Sequence, residues 1–157
     1  MGFIWHPYIP PKCSFTPLWL AFRRRLPTKV NLEFLDEGIS RVCSLCGVGL
    51  ETTSHLYFEC TATGQIWRYI RAWMGVEAQL TTLDRALRWL RTYRKGDAAK
   101  KKMRKLAFAC TTFMVWKVRN EVSFDHKPFD IMSIVCKIKV MVYTILGRLW
   151  PYACIDF

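Results

Sequence analysis

Three cysteines and one histidine stand in the order Cys43-x2-Cys46-x8-His55-x4-Cys60, four metal-donor side chains within 18 residues. Thiolate and imidazole are soft or borderline donors, and a Cys3His set matches tetrahedral Zn²⁺, which keeps such thiols deprotonated and imposes no d-electron geometry of its own. Two cysteines separated by two residues fit a tight turn whose backbone amides can point at the sulfurs. Gly47, directly after Cys46, permits the positive φ such a turn needs. His55 and Cys60 then close the site from the next structural unit. Four protein ligands leave no open coordination position, so the spacing predicts one structural zinc that does not activate water.

The other four cysteines, Cys13, Cys110, Cys136 and Cys154, are scattered singly among apolar residues and read as buried free thiols. Little else suggests catalysis. His6 and His126 have no evident catalytic carboxylate or thiol partner in sequence, no aromatic-x-Asp-Asp polymerase motif occurs, and no acidic cluster suggests a nuclease. The chain therefore reads as non-enzymatic.

The elements that must position the four donors come from hydrophobic periodicity. The chain has 157 residues, 52% of them hydrophobic and 15% aromatic, which is enough apolar surface for a packed core and excludes general disorder. Phe15, Leu18, Trp19 and Phe22 recur at helical spacing behind Ser14 as a cap, and Pro27 ends that helix. Thr28 can cap a second short helix with Val30, Phe34 and Leu35 inward and Gly38 as its stop. Residues 41–60 show no sustained helical period and read as loops and short strands. A helix with Ile66, Trp67, Ile70 and Trp73 on one face ends at Gly75, its tryptophans serving as core anchors.

Thr82 or Asp84 can cap the next helix, with Leu83, Leu87 and Leu90 inward and Arg85, Arg88, Arg91 and Arg94 along a neighbouring face. Two longer helices, at 98–121 and 129–149, flank a turn at Lys127 and Pro128. In the second, Ile131, Ile134, Val135, Ile138, Val142, Ile145 and Leu149 make a stripe suited to helix-on-helix packing. The expected fold is mainly α: short helices around a small Cys/His zinc loop, then a C-terminal helical region. The expected division is a zinc domain at 5–75, a basic helix or linker at 76–105 and a helical region at 106–157.

Net charge supplies the partner class. Lys and Arg number 24 against 12 Asp and Glu, giving +12. The surplus is uneven, with 8 basic and 6 acidic residues in 1–80 but 16 and 6 in 81–157, or +2 against +10. Such a surface attracts polyanions. The start, broken by His6, Pro7, Pro10 and Pro11, does not resemble a secretory signal, and no run is apolar enough to span a bilayer. An intracellular, nuclear protein without a membrane partner is expected.

The run PPKCSFTPLWLAFRRRLPTKVNLEFL, then CSLCGVGLETTSHLYFEC, then GQIWRYIRAWMGV resembles the zinc-binding domain that follows the reverse transcriptase of plant non-LTR (LINE-type) retrotransposons. Pro11 and Lys12, Trp19, the RLPT at Arg25 to Thr28, Glu51 ahead of His55, the HLYFEC block and Trp67 carry the likeness, which is strong over residues 5–75. VWKVRNEVSF at residues 115–124 is similar to a pattern that often follows the domain. Eight residues before the histidine and a terminal cysteine distinguish the motif from the short retroviral knuckle and from the two-His finger. The resemblance implies that Cys43, Cys46, His55 and Cys60 are the zinc ligands, and that the chain is the C-terminal part of an element's polyprotein or a gene product derived from one.

The same resemblance implies a module binding RNA or single-stranded DNA, which the charge permits. Arg23, Arg24, Arg25, Arg41, Arg68 and Arg71 are the expected phosphate contacts, extended by Lys100, Lys101, Lys102, Arg104 and Lys105. Tyr57 and Phe58 are candidates for stacking on bases, with core packing the competing role for Phe58. The alternative is a zinc-stabilised structural or protein-interaction module, or a retroelement remnant, without nucleic-acid binding.

Overall fold

The computed structural model describes residues 9–33, 38, 40–92 and 98–149. In chain order its elements are α1 (Pro11–Ser14), π1 (Phe15–Trp19), α2 (Leu20–Phe22), α3 (Lys29–Leu32), π2 (His55–Glu59), α4 (Thr61–Trp73), α5 (Leu83–Thr92), α6 (Ala98–Asp125) and α7 (Ile131–Leu149). Among the described residues no strand forms, and a single antiparallel bridge pairs Val42 with Leu50. The fold is mainly α around a Cys/His loop, followed by a C-terminal helical region, as the sequence predicts. Among the described residues no helix is long and apolar enough to cross a membrane.

Several local expectations change. The first helix begins at Pro11, where a missing N–H costs nothing in the first turn, ahead of the expected cap at Ser14. It widens to π winding at Phe15–Trp19, the stretch that contains Pro17. A proline inside a helix removes one backbone bond and crowds the carbonyl a turn earlier, and a wider turn relieves both. Thr28 precedes α3 but makes no capping bond, and its buried hydroxyl has no partner among the described residues. By contrast, Thr82 Oγ1 accepts the Arg85 N–H at 3.2 Å, and Asp130 caps α7 through the N–H groups of Met132 and Ser133 at 3.1 and 3.3 Å. The expected positions Phe15, Phe22, Phe34, Leu35, Leu90, Leu149, Arg94 and Cys154 lie outside the described residues and side chains.

α6 is the central element. Leu106 through Thr112 are buried without a break, so this helix is covered on all sides over two turns. It packs against α7 on one side, against α1 and π1 on another, and against π2 and α4. One hydrophobic cluster runs from Ile9 through Trp67, Leu87 and Phe108 to Leu146, so the three sequence regions share a core. Trp67 is the pivot: its ring stacks on Phe58 at 5.9 Å and meets Phe108 at 5.3 Å, while its indole N–H donates to the Tyr57 carbonyl at 2.6 Å. That confirms its role as a core anchor.

Among the singly placed cysteines, Cys13 and Cys110 are buried as expected, whereas Cys136 is exposed on the outer side of α7. Its neighbours on the α7 stripe, Val135 and Ile138, face the core, and one residue's rotation carries Cys136 away from it.

Because α6 fills the centre of a shared core, a chain ending at Thr92 should lose cooperative unfolding. Thermal melts followed by circular dichroism are expected to show a sharp transition for the full chain and a broad, featureless one for the truncation.

Candidate metal centre

The loop that carries the first cysteine pair is folded by backbone bonds before any metal is considered. Cys43 N–H donates to the Gly49 carbonyl at 2.7 Å, Glu51 N–H to Arg41 at 2.9 Å, and Gly47 N–H back to Cys43 at 2.9 Å. Gly47 sits at φ 71°, the left-handed region expected of it. The second pair brackets π2, His55 opening it and Cys60 following its last residue, a correction to the reading of 41–60 as loops and strands alone. Thr52 Oγ1 accepts the His55 N–H at 3.0 Å, and Cys60 N–H reaches the His55 carbonyl at 2.8 Å. That i to i+5 bond is the π-helical step. An α-helix at 3.6 residues per turn would carry residue i+5 well off the line of residue i, so π winding is what brings His55 and Cys60 to one side.

The four donor atoms of Cys43, Cys46, His55 and Cys60 all lie within 4.8 Å of one another. Cys43 Sγ and Cys60 Sγ are 4.0 Å apart, and Cys46 Sγ is 3.3 Å from His55 Nε2. Tetrahedral zinc with sulfur at about 2.3 Å and nitrogen at about 2.0 Å separates its donors by about 3.5–3.8 Å, so this group fits one ion. Cys43 and Cys60 are buried, and Cys46 and His55 half-buried. When bound, zinc would supply a closed cross-link between the Cys43–Cys46 turn and π2.

The protein already stabilises negative charge at the Cys60 sulfur. Cys60 stands at the N-cap of α4. Its thiol is pulled down to about 5 by the bond it accepts from Cys43, helped by the backbone N–H groups of Thr63 and Ala62 against the effect of burial. Thiolate at a helix N-terminus is favoured by those free donors and the helix dipole. Cys43 is held above its ordinary value because it donates to Cys60 and is buried, while the amides of Cys46 and Leu45 pull the other way.

Glu51 holds the loop in place from behind. It is fully buried, and its two oxygens accept four bonds. Oε2 takes the N–H of Ser44, between the first two cysteines, at 3.2 Å. Oε1 takes the Lys29 N–H at the start of α3 at 3.0 Å, and also Nε and Nη2 of Arg119 on α6 at 2.9 and 2.5 Å. This carboxylate caps α3 in place of the Thr28 hydroxyl. Arg119 is itself buried, its guanidinium over Trp116 at 5.1 Å, and Ser123 Oγ donates to Ser44 Oγ at 2.7 Å.

Gly49 is a site residue that spacing alone does not reveal. A Cβ there would lie 2.3–2.9 Å from three atoms of the His55 ring, so the imidazole rests directly on the glycine backbone. The only available signal was the glycine's position within the loop.

Residues 1–67 match the family described as zinc-binding in reverse transcriptase. No curated protein and no solved structure matches the chain. The matched segment thus contains all four donors, Gly49 and Glu51, and ends before α6 supplies Arg119.

The basic residues named from sequence divide by environment. Arg23, Arg24, Arg25, Arg41, Arg68 and Lys100 are exposed, and Lys101, Lys102 and Lys105 are half-buried. Arg41 pairs with Glu33. Arg71 donates to the Ala78 carbonyl at 2.9 Å and to Gln79 Oε1 at 3.3 Å, holding the chain that leaves α4. Arg104 is buried at 9% exposure with Nε 3.4 Å from the Met74 carbonyl, so it is a core residue and leaves the phosphate-contact set. Tyr57, 1% exposed, is also excluded as a base platform, and the Phe58 face is occupied by Trp67. Both belong to the core because π winding turns them toward α4 and α6.

Two outcomes follow from this geometry. Gly49→Ala should displace His55 and weaken zinc binding while Gly47→Asn, tolerated at positive φ, changes it far less; competition with a chromogenic chelator measures both. Arg119→Met leaves Glu51 charged and unpaired in the interior, which should cost about 3–5 kcal/mol in denaturant melts. Adding Glu51→Gln to it should recover part of that loss.

Proposed function

We propose that the protein is a non-catalytic zinc-organised module that binds RNA or single-stranded DNA in the nucleus. The observation that carries this reading is the four-donor site within a segment matching the reverse-transcriptase zinc-binding family. The closed ligand set gives zinc a structural role. The exposed run Arg23, Arg24 and Arg25, with Arg68 on α4 and Lys100 on α6, supplies cations that neutralise phosphates without reading sequence. A chain with a net charge of +12 favours such contact from a distance.

A specific feature favours a second reading, a protein-interaction module. The zinc loop presents Val48 and Leu50 at 85% and 57% exposure, beside Val42. Apolar side chains grouped on a rigid loop suit a protein contact better than a phosphate backbone.

Fluorescence anisotropy with labelled single-stranded RNA at about 50 and about 200 mM salt separates the two. Several phosphate contacts should lower affinity by orders of magnitude between those salts. The triple variant Arg23→Ala, Arg24→Ala, Arg25→Ala should weaken binding with little dependence on sequence. An absence of binding at the lower salt would leave the protein-interaction reading standing.

A further inference from the structure

A second site lies between α2 and α5, outside the metal centre. Three separate stretches of chain wall a polar cleft of about 420 Å³: Arg24 just after α2, Thr53 and Ser54 ahead of π2, and Thr82 to Arg88 at the start of α5. Three guanidiniums, those of Arg24, Arg85 and Arg88, line it against one carboxylate, Asp84, so the walls carry 3 − 1 = +2. None of the four forms an ion pair among the described residues. The Arg85 guanidinium is steadied by Thr81 Oγ1 at 3.2 Å.

Arg24 adds an independent observation. It sits at φ 53°, one of two non-glycine residues described in the left-handed region. A residue with a Cβ is strained there, and glycine or asparagine would be easier. The conformation turns the chain between Ala21 and Arg25 and places Arg24 of the exposed run on the cleft wall. Arg23, by contrast, lies over the Trp19 ring at 5.6 Å.

We infer that this cleft is a phosphate-binding subsite, taking a single phosphate group of a bound nucleic acid between Arg24, Arg85 and Arg88 with the hydroxyls of Thr53 and Ser54 as further donors. The inference rests on the nucleic-acid reading for the source of that phosphate, but not for the chemistry of the cleft. Guanidinium groups match phosphate oxygens in bidentate geometry, and hydroxyls complete the tetrahedral donor set. A group seated here would bring α5 and the residues preceding His55 onto the same strand. Positions 53 and 54 adjoin the zinc ligand, so metal and phosphate would brace opposite ends of one short segment.

The test uses the zinc-loaded full chain and two probes. Inorganic phosphate titrated into ¹⁵N-labelled protein, followed by NMR, should shift the resonances of Arg24, Ser54, Arg85 and Arg88. The double variant Arg24→Gln, Arg88→Gln should abolish those shifts with its melting curve unchanged, and Asp84→Asn should tighten binding by removing the opposing charge. With labelled single-stranded RNA, the double variant should lower affinity about tenfold and reduce the salt dependence by about two released counterions. A 5′-phosphorylated strand binding better than its 5′-hydroxyl counterpart assigns the cleft to a terminal phosphate, and equal affinity assigns it to a backbone diester. Phosphate shifts without any RNA binding would keep the cleft and sink the nucleic-acid reading. Absent or scattered phosphate shifts, or RNA binding insensitive to the double variant, would overturn the subsite.

Discussion

A carboxylate with no access to water must have its oxygens bonded and its charge matched, and Glu51 meets both demands with groups drawn from three parts of the chain. Ser44 belongs to the first cysteine turn, Lys29 to the start of α3, and Arg119 to α6, 68 residues away. Removing any of them leaves a buried charge short of a partner, a far larger cost than an exposed ion pair would carry. The Cys43–Cys46 turn cannot shift relative to α6 without breaking this arrangement. The position of the metal centre on the helical body is therefore set from inside the protein, and zinc locks a loop that is already placed.

The two halves of the ligand set are presented by different devices. Cys43 and Cys46 lie on a turn held by the Val42–Leu50 bridge and by Gly47. His55 and Cys60 lie on a π turn whose far end is the N-cap of α4, so the last thiolate sits among free helix donors. Each device also turns backbone N–H groups toward a sulfur, those of Cys46 and Leu45 toward Cys43 and those of Thr63 and Ala62 toward Cys60. Behind π2, the stack of Phe58, Trp67 and Phe108 transmits that placement into the core.

The likeness at residues 115–124 acquires a physical meaning in this setting. Trp116, Arg119 and Phe124 of that stretch form one unit, in which the guanidinium lies over Trp116 at 5.1 Å and over Phe124 at 5.7 Å while its nitrogens reach Glu51. A cation between two rings, one edge turned to a carboxylate, is held in a single orientation. The matched segment at 1–67 thus carries the carboxylate and α6 carries its cation.

What the sequence determined alone was local: the four donors and their spacing, the positive φ at Gly47, the cap at Thr82, and the apolar stripes of α4 and α7. These signals act within a turn or two of chain, where bonding geometry and helical period suffice. The tertiary structure decided the rest. Arg104 is buried and Arg88 exposed although both stand in one basic run, because Arg104 lies on the side of α6 that meets the end of α4 at Met74 while Arg88 lies on the outer side of α5. Thr28 lost its capping role to Glu51, and Tyr57 its surface role to the core, because a distant carboxylate and the π winding of one short segment determine what faces inward. Charge and hydropathy describe what a side chain prefers; which preference is met depends on the elements that packing brings beside it.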